Sequence, residues 1–208
     1  MKKLIITATE AHFKIPMRSK FQNTYKIPPI STVVGILKNI YGQDIDDFEV
    51  GYFIEFDSIN KEVNTIYKEI NPNEKTLTCS ERFRSDAIYV ENLVNPRLVI
   101  YHNINSDIEF KQPLCLGKAN YLANIKFDKV KLINKCGLAY NQYTPTNIGS
   151  GMITRINTIT EYNDIKGYYE YKTTLVRENL TEFELDSNYD ETENINIYMW
   201  KWRNGDVS

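Results

Sequence analysis

Cysteine and histidine are both scarce, at 3 and 2 of 208 residues. Cys79, Cys115 and Cys136 are far apart and odd in number, with no CxxC pair and no histidine at ligand spacing. This excludes a disulfide framework and a zinc site and indicates a reduced, cytoplasmic chain. No apolar run approaches the roughly 20 residues that cross a bilayer. Polar Thr7, Thr9 and Glu10 cut off the N-terminal Leu4-Ile5-Ile6 well short of a signal-peptide core, so no membrane contact is expected. GxxxxGK[ST], GxGxxG, GxSxG and HExxH are all absent, which leaves no sequence basis for a cofactor or metal. Asp44, Asp46 and Asp47 lack the glycine and distal glutamate of a calcium loop and read as solvated surface.

What is present is an ordinary globular composition, 42% apolar and 25% charged, in a chain long enough to bury a core without staples. The net charge of −2 conceals an asymmetry. Residues 1 to 42 carry seven Lys or Arg against Glu10 alone, and residues 111 to 135 carry six Lys against Asp128 alone. Glu178 to Glu193 holds seven acids without a Lys or Arg. The two basic segments suit either a polyanion-binding face or scattered solvated charge.

Period-two alternation from Leu4 to Phe13 predicts a first strand, and Lys14 to Ile30, with Pro16, Pro28 and Pro29, predicts an exposed connection. A helix follows, capped by Ser31 or Thr32, with an apolar stripe at Val33, Ile36, Leu37, Ile40 and Tyr41 and Gly42 at its end. Val50–Phe56, Val63–Ile70, Phe83–Val94, Arg97–His102 and Phe127–Ile133 read as strands, the second and third forming a long hairpin joined by Asn71–Glu81. Ala119–Asn124 reads as a short second helix. The order predicts an α+β, ferredoxin-like (RRM-like) domain over residues 1–135, its hairpin thumb at about 63–94, followed by a β-rich annex over 136–208.

Two histidines confine imidazole catalysis to His12 and His102. His12 is the better placed, at the end of the first strand beside Lys14, Arg18 and Tyr25, where a metal-free cleavage of RNA would need a base and cations; a packed structural histidine fits the same position. Between Phe13 and Tyr41, the cations Lys14, Arg18, Lys20, Lys26 and Lys38 interleave with Phe13, Phe21, Tyr25 and Tyr41 and lead to a helix N-terminus at Ser31-Thr32. That combination suits single-stranded nucleic acid, with aromatics stacking bases and cations meeting phosphates. Arg82-Phe83-Arg84 and Lys118 repeat the pattern.

Three segments carry a family resemblance. Ala11-His12-Phe13-Lys14 with Tyr25-Lys26-Ile27-Pro28-Pro29-Ile30-Ser31-Thr32-Val33-Val34-Gly35-Ile36-Leu37, then Leu93–Tyr101, then Pro113-Leu114-Cys115-Leu116-Gly117-Lys118-Ala119-Asn120-Tyr121-Leu122-Ala123, stand in the order seen in the CRISPR-associated "Cas five" family. Over about residues 4 to 133 the chain resembles that family, a branch of the RAMP superfamily, in the short version found in type I-B complexes. Lys118-Ala119 replaces the commoner Arg-Ser. The resemblance implies a Cascade subunit that caps the 5′ handle of the guide crRNA. It would sit beside the large subunit and a backbone subunit and meet target DNA only indirectly. The implied contacts are Arg18, Lys20, Ser31, Thr32, Gly117 and Lys118. One branch of the family cuts repeat RNA without metal, with His12 and Tyr25 as the candidate groups here. A protein scaffold without RNA contact is the third reading.

Overall fold

A computed structural model describes residues 1–16, 21–42, 45–70, 83–109, 113–163, 168–203 and 206–207, with side chains except at 66–70, 83–85, 159–163, 168–171 and 206–207. The elements are β1 (Lys2–Ala8), β2 (Glu10–Ala11), β3 (Phe21–Gln22), α1 (Ile30–Tyr41), β4 (Phe48–Glu55), β5 (Ser58–Ile70), β6 (Phe83–Val94) and β7 (Arg97–His102). They continue with β8 (Ala123–Lys129), β9 (Ile133–Ala139), β10 (Gln142–Thr144), β11 (Met152–Asn163), β12 (Tyr168–Asn179), β13 (Phe183–Asp190), β14 (Ile195–Ile197), β15 (Trp200–Arg203) and β16 (Asp206–Val207).

Alternation in β1 sends its side chains to two covered faces of a six-stranded antiparallel sheet, ordered β16-β15-β4-β7-β1-β8. Leu4, Ile100 and Tyr52 stand abreast on one face, in the same core cluster as Val33, Leu37 and Ile40 of α1. Ile5, Val99 and Phe53 stand abreast on the other, packed with Ile195 and Ile197 of β14. On that second face Gly51 leaves room for the C-terminal chain, since a Cβ there would lie 2.4 Å from Met199 Sδ and 2.8 Å from Tyr198 O. Trp200 and Trp202, both buried, bring the C-terminal chain back into the sheet beside Val50 and Phe48.

The expected ferredoxin-like α+β plan does not hold. Strands dominate, in four sheets, and α1 is the one α-helix among the described residues. The second helix expected at Ala119–Asn124 is instead a tight loop that runs into β8 at Ala123: Cys115 bridges to Leu122, Ala123 N donates to Leu114 O, and Gly117 turns at φ +102°. Six residues form too few helical hydrogen bonds to offset nucleation, so the loop pairing wins. The helix cap also differs. Pro29 is the N-cap, no side chain caps α1, and Ser31 and Thr32 lie within its first turn. Nor is the whole approach to α1 exposed: Ile27, Pro28, Pro29 and Ile30 are buried. The hydroxyls of Tyr143 and Tyr52 pin it by donating to Ile27 O and Pro28 O at 3.0 and 2.9 Å.

The long hairpin is present as β5 and β6, in register from Ser58↔Val94 to Ile70↔Phe83 with an irregularity between Tyr67 and Glu69. Its joining loop lies outside the described residues. Within the expected β-rich annex a second long hairpin, β11–β12, is formed; Ile156 and Val176 root it in the core with α1. Among the described residues no helix is long and apolar enough to cross a membrane.

Candidate nucleic-acid interface

The chain leaves the central sheet after β1, and β2 pairs with the foot of the hairpin through Ala11↔Leu93. This sets His12 beside β6, where its Nδ1 lies 2.7 Å from Glu91 O. A carbonyl only accepts, so the proton is on Nδ1 and Nε2 is left as an acceptor. His12 is 5% exposed, and Nε2 is buried without a partner among the described residues. Burial lowers its pKa, and Lys118 and Lys14 nearby push the same way against the Glu91 carbonyl, so the ring is neutral.

Loop 113–122 is strapped across this histidine. His12 N donates to Leu116 O at 2.9 Å, and a Cβ on Gly117 would stand 1.9 Å from His12 O. The turn therefore requires glycine, both for its positive φ and for the closeness of the backbone. It delivers Lys118 to the hairpin, where Nζ lies 2.9 Å from Glu62 Oε1 and 3.3 Å from Tyr121 Oη. Tyr121 in turn donates to Glu62 at 3.2 Å. The Asn92 amide and the Lys118 ammonium hold the Glu62 carboxyl at about 2. The charge on Lys118 is thus already met by an acid of the same chain.

The hairpin's other face presents a different surface. Val63, Tyr89 and Phe21 stand abreast across β5, β6 and β3. The Tyr89 and Phe21 rings stack at 4.9 Å with 15° between planes, although each residue is about half exposed. Lys61 continues the row two residues before Val63 and pairs with Glu91 at 3.4 Å. Exposed, nearly coplanar rings supply the π faces on which bases stack.

The structure gathers His12, Lys14, Gly117 and Lys118 at the foot of the hairpin. Tyr25 and Lys26 lie on the adjoining segment, Tyr25 N donating to Phe13 O at 2.8 Å, and Glu178 is near both. Tyr25 is half-buried, and burial and then Glu178 raise its pKa. In the first turn of α1, Thr32 N and Val33 N already donate to Pro29 O at 2.9 and 3.3 Å. Arg84 is on β6 without a described side chain, and Arg18, Lys20 and Arg82 lie outside the described residues. Sequence reasoning counted Phe21 among the interleaved aromatics but missed Tyr89, whose only local signal is an aromatic on the polar phase of an alternating strand. No group of three His, Cys, Asp or Glu able to hold a metal occurs among the described residues. The arrangement offers stacking, cation contacts and hydrogen bonds rather than an accessible base.

No protein-family model matches the chain, and no curated protein does. Solved structures do. A chain from a structure described as a CRISPR RNA-guided surveillance complex is similar with a TM-score of 0.54 and 8% identity, over 91% of this chain and 92% of that one. A chain from a cryo-EM structure of the Type III-B Cmr-beta bound to cognate target RNA and AMPPnP gives a TM-score of 0.57 and 11% identity, over 88% and 86%. At such identities the shared property is the fold.

Proposed function

We propose that this chain is a non-catalytic, RNA-binding subunit of a CRISPR effector complex. It would hold the 5′ handle of a guide RNA and help assemble neighbouring backbone and large subunits. The observation that carries this reading is a fold shared with chains of a CRISPR RNA-guided surveillance complex and of a Type III-B Cmr-beta bound to cognate target RNA, over 91% and 88% of the present chain. Phe21 and Tyr89 stack bases in this reading, exposed Lys14 meets phosphate, and the rest of the basic approach, Arg18 and Lys20, extends that contact. The enclosure of His12 supports binding over cleavage, because a general base must come within hydrogen-bond reach of the proton it removes.

The test is purification of the tagged chain from its native host. Small RNAs sharing one 5′ end, copurifying with other subunits of the complex, are expected; their absence overturns the reading. Crosslinking within the assembled complex at Lys14, Arg18 or Lys20 separates RNA binding from a purely protein scaffold, which gives none. Incubation with repeat RNA addresses the catalytic alternative: cleavage that His12→Ala or Tyr25→Phe abolishes would replace a binding subunit by a metal-independent ribonuclease.

A further inference from the structure

Away from the hairpin, an open groove of about 440 Å³ lies at the β8 edge of the central sheet, beside the C-terminal turn of α1. Leu4, Tyr41, Ile108 and Phe127 make it apolar, and Lys2 and Lys129 bring the cations. Its volume is that of a small-molecule site rather than of a packing defect. Three observations indicate what it takes.

Lys2 and Lys129 are directly opposite in the antiparallel β1–β8 pair, so both project from the same face. Like charges so placed repel, and an anion between them would relieve the repulsion. No carboxylate takes that role. Lys2 Nζ rests on neutral partners, 3.2 Å from Ser106 O and 5.1 Å from the Tyr41 ring centroid, and Lys129 makes no ion pair among the described residues. Asp128 also lines the groove, but its Oδ1 accepts from Lys129 N, and Lys3 turns its ammonium to the opposite face of the sheet, toward Asp190.

His102, buried behind Tyr41, adds no charge, since burial and then Lys2 lower its pKa to about 4. Its Nδ1 accepts from Ile104 N at 3.2 Å, which leaves Nε2–H to donate to Tyr41 Oη at 3.2 Å. The Tyr41 ring is thereby fixed. Finally, the apolar walls are partly open: Phe127 is 40% and Ile108 50% exposed, over a buried Tyr41. An exposed aromatic ring beside paired ammonium groups fits a ligand with a flat body and an anionic end.

We infer that this groove is a nucleotide site, seating a base against the exposed side chains of Ile108 and Phe127 and its phosphate between Lys2 and Lys129. The site uses none of the residues of the hairpin interface, so its failure leaves the proposed function standing, and the reverse. A nucleotide of this kind can be a free nucleoside monophosphate or one unit of a single RNA strand.

Calorimetric titration of the full chain with UMP, inorganic phosphate and a single-stranded RNA hexamer tests it. UMP is expected to bind more tightly than phosphate. Lys129→Glu, at an exposed position, should weaken UMP about tenfold, the scale of one charge-assisted hydrogen bond. Phe127→Leu, still apolar but no longer planar, should weaken UMP and leave phosphate unchanged. Competition between the hexamer and UMP assigns the site to a strand, and independent binding of the two assigns it to the free nucleotide; either supports the groove. Equal affinity for UMP and phosphate overturns the inference, as does UMP binding unaffected by Lys129→Glu. An acidic peptide that displaces UMP and tolerates Phe127→Leu would replace the nucleotide by a protein partner.

Discussion

Lys3 and Asp190, 187 residues apart in sequence, meet with Nζ 2.7 Å from Oδ2 while both side chains are at most 3% exposed. Glu193 approaches the same ammonium at 2.6 Å, Tyr101 donates to Asp190 at 2.7 Å, and Arg97 joins Glu193 to Glu55. The network fastens the C-terminal strands to the central sheet. Removing one partner strands the other charge in the interior, so Lys3→Ala is expected to cost about 3–5 kcal/mol in urea unfolding. Lys3→Met with Asp190→Leu should cost less than Lys3→Ala alone, because an apolar pair leaves no buried charge behind.

The same pair sets an acid limit. Burial raises the Asp190 carboxyl, but hydrogen bonds from Lys3, Thr192 and Tyr101 outweigh it and hold the group at about 2, against an ordinary value of 3.8. A depressed carboxylate pKa means that the folded state binds the proton later than the unfolded chain. Its stabilisation is therefore full above the ordinary value and is lost as pH falls through that window toward 2. Chemical unfolding measured across that range should show a loss that Asp190→Asn lacks.

Two glycines should respond oppositely to the same substitution. Gly117→Ala places a methyl on His12 O at a φ of +102°, and should lower stability by at least about 2 kcal/mol. Gly35, exposed within α1, has no atom within 4 Å of an added Cβ. Gly35→Ala should raise stability by about 0.5–1 kcal/mol through helix propensity. Thermal unfolding of both variants checks the contrast.

On the proposed function, Phe21→Ala should weaken single-stranded RNA by about 1–3 kcal/mol, the scale of one lost stacking contact. Phe21→Leu should restore little of it, since an aliphatic side chain has no flat face. Fluorescence anisotropy with a labelled oligonucleotide measures both, and full recovery by leucine would mean that the patch meets protein rather than bases.

Glu62→Gln should release the Lys118 ammonium from its partner at 2.9 Å and increase RNA affinity about twofold to fivefold, with a steeper dependence on salt. Adding Lys118→Ala should remove the gain. An unchanged salt slope in Glu62→Gln would mean that Lys118 does not reach the phosphates.

Local pattern made part of this legible. The stripe from Val33 to Tyr41 determines α1 because an amphipathic helix buries one face wherever it docks, and all five stripe positions are buried. Phe83–Val94 is readable as β6 because its strand character runs unbroken. Ala119–Asn124 misled because a few helix-favouring residues cannot outweigh a strap that Gly117 turns against His12. The charge census misled in a different way. Lys3 and Lys118 counted toward basic faces, yet each is neutralised by an acid remote in sequence, Asp190 in one case and Glu62 in the other. Such pairings are set by tertiary approach, which composition does not encode. The Phe21–Tyr89 stack was hidden for the same reason, since β3 joins β6 across 68 positions by parallel pairing, Phe21↔Tyr89.

Because β15 is hydrogen-bonded to β4, a sheet that already holds β1 at Lys2–Ala8 gains its last two strands, β15 and β16, only from Trp200 onward. During synthesis β4 keeps an unsatisfied backbone edge until residues 200–203 have emerged, and the adjoining indole positions stay empty for as long. Pairings so distant along the chain fold slowly, so this edge of the sheet closes late and until then offers its backbone to intermolecular pairing.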